Sequence, residues 1–121
     1  MSKTALETVQ AFQMSMGSGT NDWVEMVSEN VTFKGPVADV KGKSDFIELN
    51  KGFFPMVRGY EPLNSFGNAT YASLEGTFKL ATPKGNEIEL EMAEVYTVED
   101  GKIQSVRVYY DAEEYRKEFG N

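Results

Sequence analysis

Residues 87–98 alternate without a break. Ile88, Leu90, Met92, Glu94, Tyr96 and Val98 fall on one face, and Glu87, Glu89, Glu91, Ala93, Val95 and Thr97 on the other. Period-two alternation is the mark of a β-strand with one buried face, and here the first face is the one to bury. A strand this long needs partners, and the flanking sequence supplies them. Glu99-Asp100-Gly101-Lys102 is a tight turn whose Asp-Gly pair signals a hairpin, so Ile103 to Tyr110 returns as the last strand. Upstream, Thr70 to Ala81 reads as a long strand closed by the turn Thr82-Pro83-Lys84-Gly85-Asn86, and Leu63 to Phe66 as a short one. Strands 70–81, 87–98 and 102–110 are therefore expected as consecutive antiparallel neighbours.

The first half of the chain has helical spacing. Leu6, Val9, Phe12 and Met16 recur at three- and four-residue steps, and Thr4-Ala5-Leu6-Glu7 has the spacing of a capping box. Gly17-Ser18-Gly19 stops this helix. Asn21 or Asp22 is placed to cap a second one carrying Trp23, Met26 and Val27, after which Val31-Thr32-Phe33 reads as a short strand. Ser44 is placed to cap a third helix with Phe46, Ile47 and Leu49, limited by Gly52 and Pro55. Asp111-Ala112-Glu113-Glu114 has capping-box spacing at the start of a last helix running through Phe119, whose Glu113, Glu114, Arg116, Lys117 and Glu118 read as a solvated face. Helices followed by a run of strands imply an α+β fold, with the helices on one face of an antiparallel sheet. At 121 residues, without repeat or linker, one domain over 1–121 is expected.

Composition removes several chemistries. The chain has no His and no Cys, so imidazole acid–base catalysis, His-ligated zinc, disulfides and thiolate nucleophiles are excluded within it. Its net charge of −7 disfavours nucleic acid and anionic membrane surfaces. No apolar run approaches the ~20 residues that span a bilayer. The N-terminus from Met1 to Glu7 lacks the apolar core of a signal peptide, so a cytoplasmic protein is expected. No metal cluster, phosphate-binding glycine loop or dinucleotide fingerprint is present, and no cofactor is expected.

The order of these segments resembles the nuclear transport factor 2-like superfamily, in particular SnoaL-like proteins of the cystatin-like cone fold. The resemblance is carried by Asn21-Asp22-Trp23, by Ser28 through Pro36, by Gly42-Lys43, and by Tyr96 through Ile103 running into Tyr109-Tyr110-Asp111. It implies a curved sheet around a conical, helix-lined pocket and frequent homodimers through the sheet's outer face. The superfamily includes ketosteroid isomerases, polyketide cyclases, epoxide hydrolases, dehydratases and non-catalytic transport or assembly domains, so the likeness does not choose a reaction.

Glu94 is the one charged residue on the buried face of strand 87–98. A carboxylate turned toward an apolar interior is costly unless partnered. Two roles fit: a pocket acid kept neutral by burial and able to hydrogen-bond a developing oxyanion, or a structural Glu paired with Arg, Lys or Tyr. The resemblance places Glu94 where ketosteroid isomerases hold a protonated oxyanion-hole Asp, a case long used to illustrate a neutral carboxylic acid. Other family positions differ. Gly35 stands where the isomerases' base would be, Phe12 where their first-helix Tyr would be, and Thr77 and Val108 where the epoxide hydrolases carry Asp. Asp39 and Lys41, in the loop after Pro36, read as solvated, with a displaced base as the functional alternative. Asp111 reads as a cap, the alternative being an acid at the cone's mouth.

The expected pocket lining follows. Met92 and Tyr96 share the face of Glu94, and the resemblance turns Val108 and Tyr110 the same way. Phe12 and Trp23 come from the helices, while Phe54 and Met56 stand near the mouth. The expected ligand is a small apolar molecule. The expected activity is an isomerase, cyclase or lyase reaction beside a carbonyl with Glu94 as acid; the alternative is a non-catalytic binding or assembly domain. The other sheet face, with Ile103, Tyr109, Ala93 and Val95, is expected to be covered by a second copy of the chain.

Overall fold

A computed structural model describes residues 4–120. Met1, Ser2, Lys3 and Asn121 lie outside the described residues, and with them the start of the signal-peptide reading and the ends of the 1–121 domain. The chain runs α1 (Ala5–Gly17), a 3-10 helix (Asp22–Met26), β1 (Val27–Lys34), β2 (Asp39–Lys41), α2 (Lys43–Phe53), a 3-10 turn (Phe54–Met56), β3 (Val57–Gly67), β4 (Tyr71–Ala81), β5 (Glu87–Glu99), β6 (Lys102–Tyr109) and α3 (Glu113–Phe119). The strands form one curved sheet in the order β2-β1-β6-β5-β4-β3. No described helix is long and apolar enough to cross a membrane.

The expected α+β architecture holds, and β4, β5 and β6 are consecutive antiparallel neighbours. The hairpin turn between β5 and β6 has Asp100 at φ 54° and Gly101 at φ 72°, the left-handed pair that suits the strands' twist. The sheet is nevertheless mixed, because β1 lies parallel to β6, with Phe33 opposite Val106. That pairing is remote in sequence and leaves no local mark.

The boundaries differ where neighbours override local signals. The second helix is a single 3-10 segment with no side-chain cap, and Val27 already belongs to β1, so the short strand expected at 31–33 is part of a longer one. Ser44 is inside α2 rather than capping it; Gly42, at φ 95°, stands at the cap. Residues 39–41 form β2, an edge strand paired with β1, instead of a loop. β3 starts at Val57 and passes through Pro62, which an edge strand tolerates because its amide has no partner to lose.

A register shift between Thr97 and Val98 leaves Gln104 unpaired on β6, so Val98 faces Ile103. This bulge corrects the alternation read from the sequence. Ile103, expected on the outer face, is fully buried with the core. α1 starts with the expected capping box: Thr4 Oγ1 accepts from the Glu7 amide at 3.2 Å, and the Thr4 amide donates to Glu7 Oε1 at 2.9 Å. Its buried face centres on Ala5, Val9 and Phe12, flanked by Leu6 and Met16.

Candidate functional site

The inner face of β5 delivers Glu94 into the protein between Met92 and Tyr96. It lines a cavity of about 390 Å³ bounded by β1, α2, β4, β5, β6 and α3. That volume is in the range of small-molecule sites. Glu94 Oε1 accepts from Gln13 Nε2 of α1 at 3.2 Å, and Oε2 accepts from the Tyr96 hydroxyl at 3.1 Å. Among the described residues no Lys or Arg forms an ion pair with it.

Burial dominates the titration of this group. Desolvation raises the Glu94 carboxyl to about 7, although the two donated hydrogen bonds favour the charged form. Glu94 is not sealed off: it retains some accessible surface and belongs to the cavity lining. Burial also raises the Tyr96 hydroxyl well above its usual value, and the neighbouring Glu94 charge raises it further. Tyr60 of β3 is raised by the same two causes in the same order. Its ring packs on Phe78 at 4.6 Å and crosses Gly76, where a Cβ would overlap it. The absent side chain at Gly76 thus lets a second tyrosine approach Glu94.

The expected lining residues divide into two groups. Glu94, Met56, Met92, Val108 and Tyr110 line the cavity. Phe12, Trp23 and Tyr96 do not. They form buried packing behind it, with Phe12 6.0 Å from Trp23 and 6.2 Å from Tyr96. Trp23 is fixed there because its amide donates to the buried Ser15 Oγ at 3.0 Å. Phe54 points elsewhere, into a separate surface recess beside Trp23. A 3-10 turn at 54–56 sends neighbouring side chains in different directions, which placed Met56 in the cavity and Phe54 outside it.

Several lining residues were not foreseen. Phe33, Phe53 and Phe78 supply aromatic walls, Glu48 and Asn50 come from α2, and Tyr115 comes from α3. Phe78 was open to discovery, since Leu74, Gly76, Phe78 and Leu80 alternate on β4 as their neighbours do on β5. Gln13 carried no signal, being a polar residue at the edge of an apolar helix face. Asp39 and Lys41 are exposed on β2 and do not line the cavity, so the displaced-base alternative has no geometric support. Gly35 does line it, at the position where the isomerase base was sought.

α3 is more than a solvated face. Asp111 Oδ1 accepts from the Glu113 amide at 3.0 Å, but the cap position is Ala112 and carries no side-chain cap bond, so neither the expected box nor an Asp111 cap is formed. Glu118 Oε1 accepts from Thr82 Oγ1 at 2.7 Å and Asn86 Nδ2 at 3.0 Å, and Arg116 donates to the Pro36 carbonyl at 3.0 Å. These bonds hold Tyr115 at the cavity, with its ring 6.3 Å from Tyr110.

Residues 9–106 match the family model of the SnoaL-like domain. A crystal structure of a protein from Kribbella flavida DSM 17836 has a TM-score of 0.80 at 25% identity, covering 96% of this chain and 93% of that one. An NTF2-like protein from Burkholderia xenovorans LB400 reaches 0.82 at 18% identity, covering 93% and 92%. A candidate isomerase from Rhodopseudomonas palustris reaches 0.76 at 16% identity, covering 92% of both chains. At those last two identities the likeness shows the fold alone. No curated protein matches the sequence.

Proposed function

The chain belongs to the SnoaL-like domain family, and on that premise we propose that it binds a small apolar molecule in the cavity ending at Glu94 and exchanges a proton with it, in an isomerase, cyclase or lyase reaction beside a carbonyl. The observation that carries this reading is the setting of Glu94: a carboxyl raised to about 7, reachable from an aromatic-walled cavity, and held by Gln13 and Tyr96. A group poised near neutrality is suited to donate a proton at ordinary pH. Neutral Glu94 donates its O–H to the ligand's carbonyl oxygen. That hydrogen bond strengthens as an adjacent C–H bond breaks and charge collects on the oxygen. The carbon-bound proton passes to water or to Glu48, the other carboxylate of the described lining. Gln13 and Tyr96 keep the carboxyl in place throughout.

A panel of flat polycyclic ketones, scored first for binding and then for turnover, tests this. For a ketone that turns over, Glu94→Gln should lower kcat by roughly 10²–10³-fold with little change in KM, the size seen when an oxyanion donor is lost. Unchanged kcat would leave Glu94 a structural group. The second reading, a non-catalytic ligand-binding or assembly domain, is favoured by Gly35, which lines the cavity and leaves no base there.

We also propose a homodimer through the outer face of the sheet. Phe66, Ser73, Val95 and Arg107 lie in one row across β3 to β6, and Ala93 stands opposite Tyr109 in the next. Phe66 is 61% exposed, Tyr109 55% and Tyr71 44%. Soluble monomers rarely leave such an apolar patch open. Arg107 Nη2 donates to the Tyr71 hydroxyl at 3.2 Å on this face. Sedimentation at micromolar concentration should show twice the 13.5 kDa chain mass, and Val95→Glu should return it to one. A wild-type chain that sediments as the single 13.5 kDa species contradicts the proposal.

A further inference from the structure

The charged side chains among the described lining residues are both acidic, and the cation beside the cavity, Arg116 of α3, donates to the Pro36 carbonyl while its charge reaches Tyr110. Among its described lining residues the charged ones are Glu94, deep on β5, and Glu48, exposed on α2; no Lys or Arg takes part. The groups around Glu94 offer no cation either. α1 supplies the uncharged Gln13, β3 Tyr60, β5 itself Tyr96, and the paired positions on β4 and β6 are Leu74 and Val108; Tyr110 and Tyr115 complete the titratable lining. The carboxylate accepts two hydrogen bonds and can accept about four. It therefore has unused acceptor capacity and cavity surface, with no opposite charge to meet it.

We propose that the cavity takes an organic ammonium ion with an apolar body, its cationic head against the Glu94 carboxylate and its hydrocarbon part among Phe33, Phe53 and Phe78. The inference rests on the reading that a ligand's polar end meets Glu94. Three features select this class. An ammonium N–H donates to the free carboxylate lone pairs, and its charge supplies the counter-ion the protein lacks. At a partly buried carboxylate that Coulomb attraction is stronger than in bulk solvent. Aromatic walls attract a cation and its alkyl substituents together. A carboxylate or phosphate ligand, by contrast, meets like charge at Glu48 and opposes the ionisation of Glu94.

Binding of a cation must also draw the carboxyl toward its charged form. A carboxyl that is neutral before binding gives up its proton when the ammonium arrives, so amine affinity rises with pH through the Glu94 titration near 7. A neutral ligand that accepts a hydrogen bond from the protonated acid has the opposite dependence.

Naphthylmethylamine, naphthol and naphthoate share one bicyclic body and differ in head-group charge. Their dissociation constants would be measured calorimetrically on the full chain at about pH 6 and about pH 8, in buffers of different ionisation enthalpy. The amine should bind, tighten about tenfold between the two pH values and release protons to the buffer near pH 7. Naphthoate should bind at least about tenfold more weakly than the amine, one decade being about 1.4 kcal/mol. Glu94→Gln should weaken the amine tenfold or more and remove its pH dependence. Naphthol binding without amine binding would overturn the ammonium proposal and leave the cavity reading standing. So would an amine affinity indifferent to pH and to Glu94→Gln, or naphthoate binding as tightly as the amine. If none of the three binds, the cavity reading itself fails, and this inference with it.

Discussion

Glu94→Gln should stabilise the chain by about 2–3 kcal/mol more at pH 8 than at pH 4, relative to the parent protein. The carboxyl is raised from 4.5 to about 7 in the folded state, with burial as the leading cause. Below the unfolded value both states are protonated, and Glu94 contributes its full stability. As pH rises past that value the unfolded chain releases its proton while the folded chain must keep it. The contribution is lost progressively until pH passes the folded value. Gln cannot titrate, so the difference between the two proteins isolates this loss, and the other carboxylates, present in both, cancel. At about 1.4 kcal/mol per unit the full shift would exceed 3 kcal/mol, and water entering the cavity reduces it. Melting temperatures in matched buffers should diverge by on the order of 10 °C across the window. Parallel profiles would mean that Glu94 is ionised and solvated, removing the basis for its role as a neutral acid. The variant should fold at both pH values, which makes it usable in the binding and turnover tests.

Phe46→Ala should cost about 3–5 kcal/mol in urea unfolding, the range for deleting a buried aromatic ring. Phe46 is the fully buried side chain of α2, only 2% exposed, with its ring 6.3 Å from Phe12 of α1 and 6.4 Å from Phe33 of β1. It joins three elements at one point, and α2 carries Leu49, Asn50 and Phe53 into the cavity wall. The loss should therefore weaken ligand binding as well as stability. Met14→Ala, on α1 but 74% exposed, is the control and should stay within about 0.5 kcal/mol. A cost for Phe46→Ala below about 1 kcal/mol would show that α2 is not anchored through this ring.

The legible parts of the fold share one property: the signal and its cause lie within a few residues of each other. Alternation over 87–98 identifies a half-buried strand and turns Glu94 inward. Asp100-Gly101 identifies the hairpin, and Thr4 with Glu7 the start of α1. The illegible parts depend on neighbours. Pro62 argues against a strand until β3 is known to be an edge, and alternation on β6 fails at Gln104 because the bulge is a feature of the pair, not of either strand. Phe12 and Trp23, expected as pocket lining, are core rings that do not reach the cavity, because burial alone does not distinguish a core ring from a cavity wall. Which of the two a ring becomes depends on whether another element packs over it.

The sequence by itself determined the α+β class, the three-strand antiparallel core of the sheet, the SnoaL-like resemblance, the chemistries excluded by the absence of His and Cys, and the single acid on the inner face. Tertiary structure decided the rest. The parallel pairing of β1 with β6, the Gly76 gap that admits Tyr60, the Gln13 donor from α1, and the place of Tyr115 in the cavity lining each join residues far apart in the chain. The physical reason is that periodicity reports which face of an element is apolar, a property of consecutive residues. The pKa of a carboxyl depends on everything that surrounds it, and in this protein those surroundings come from both ends of the chain.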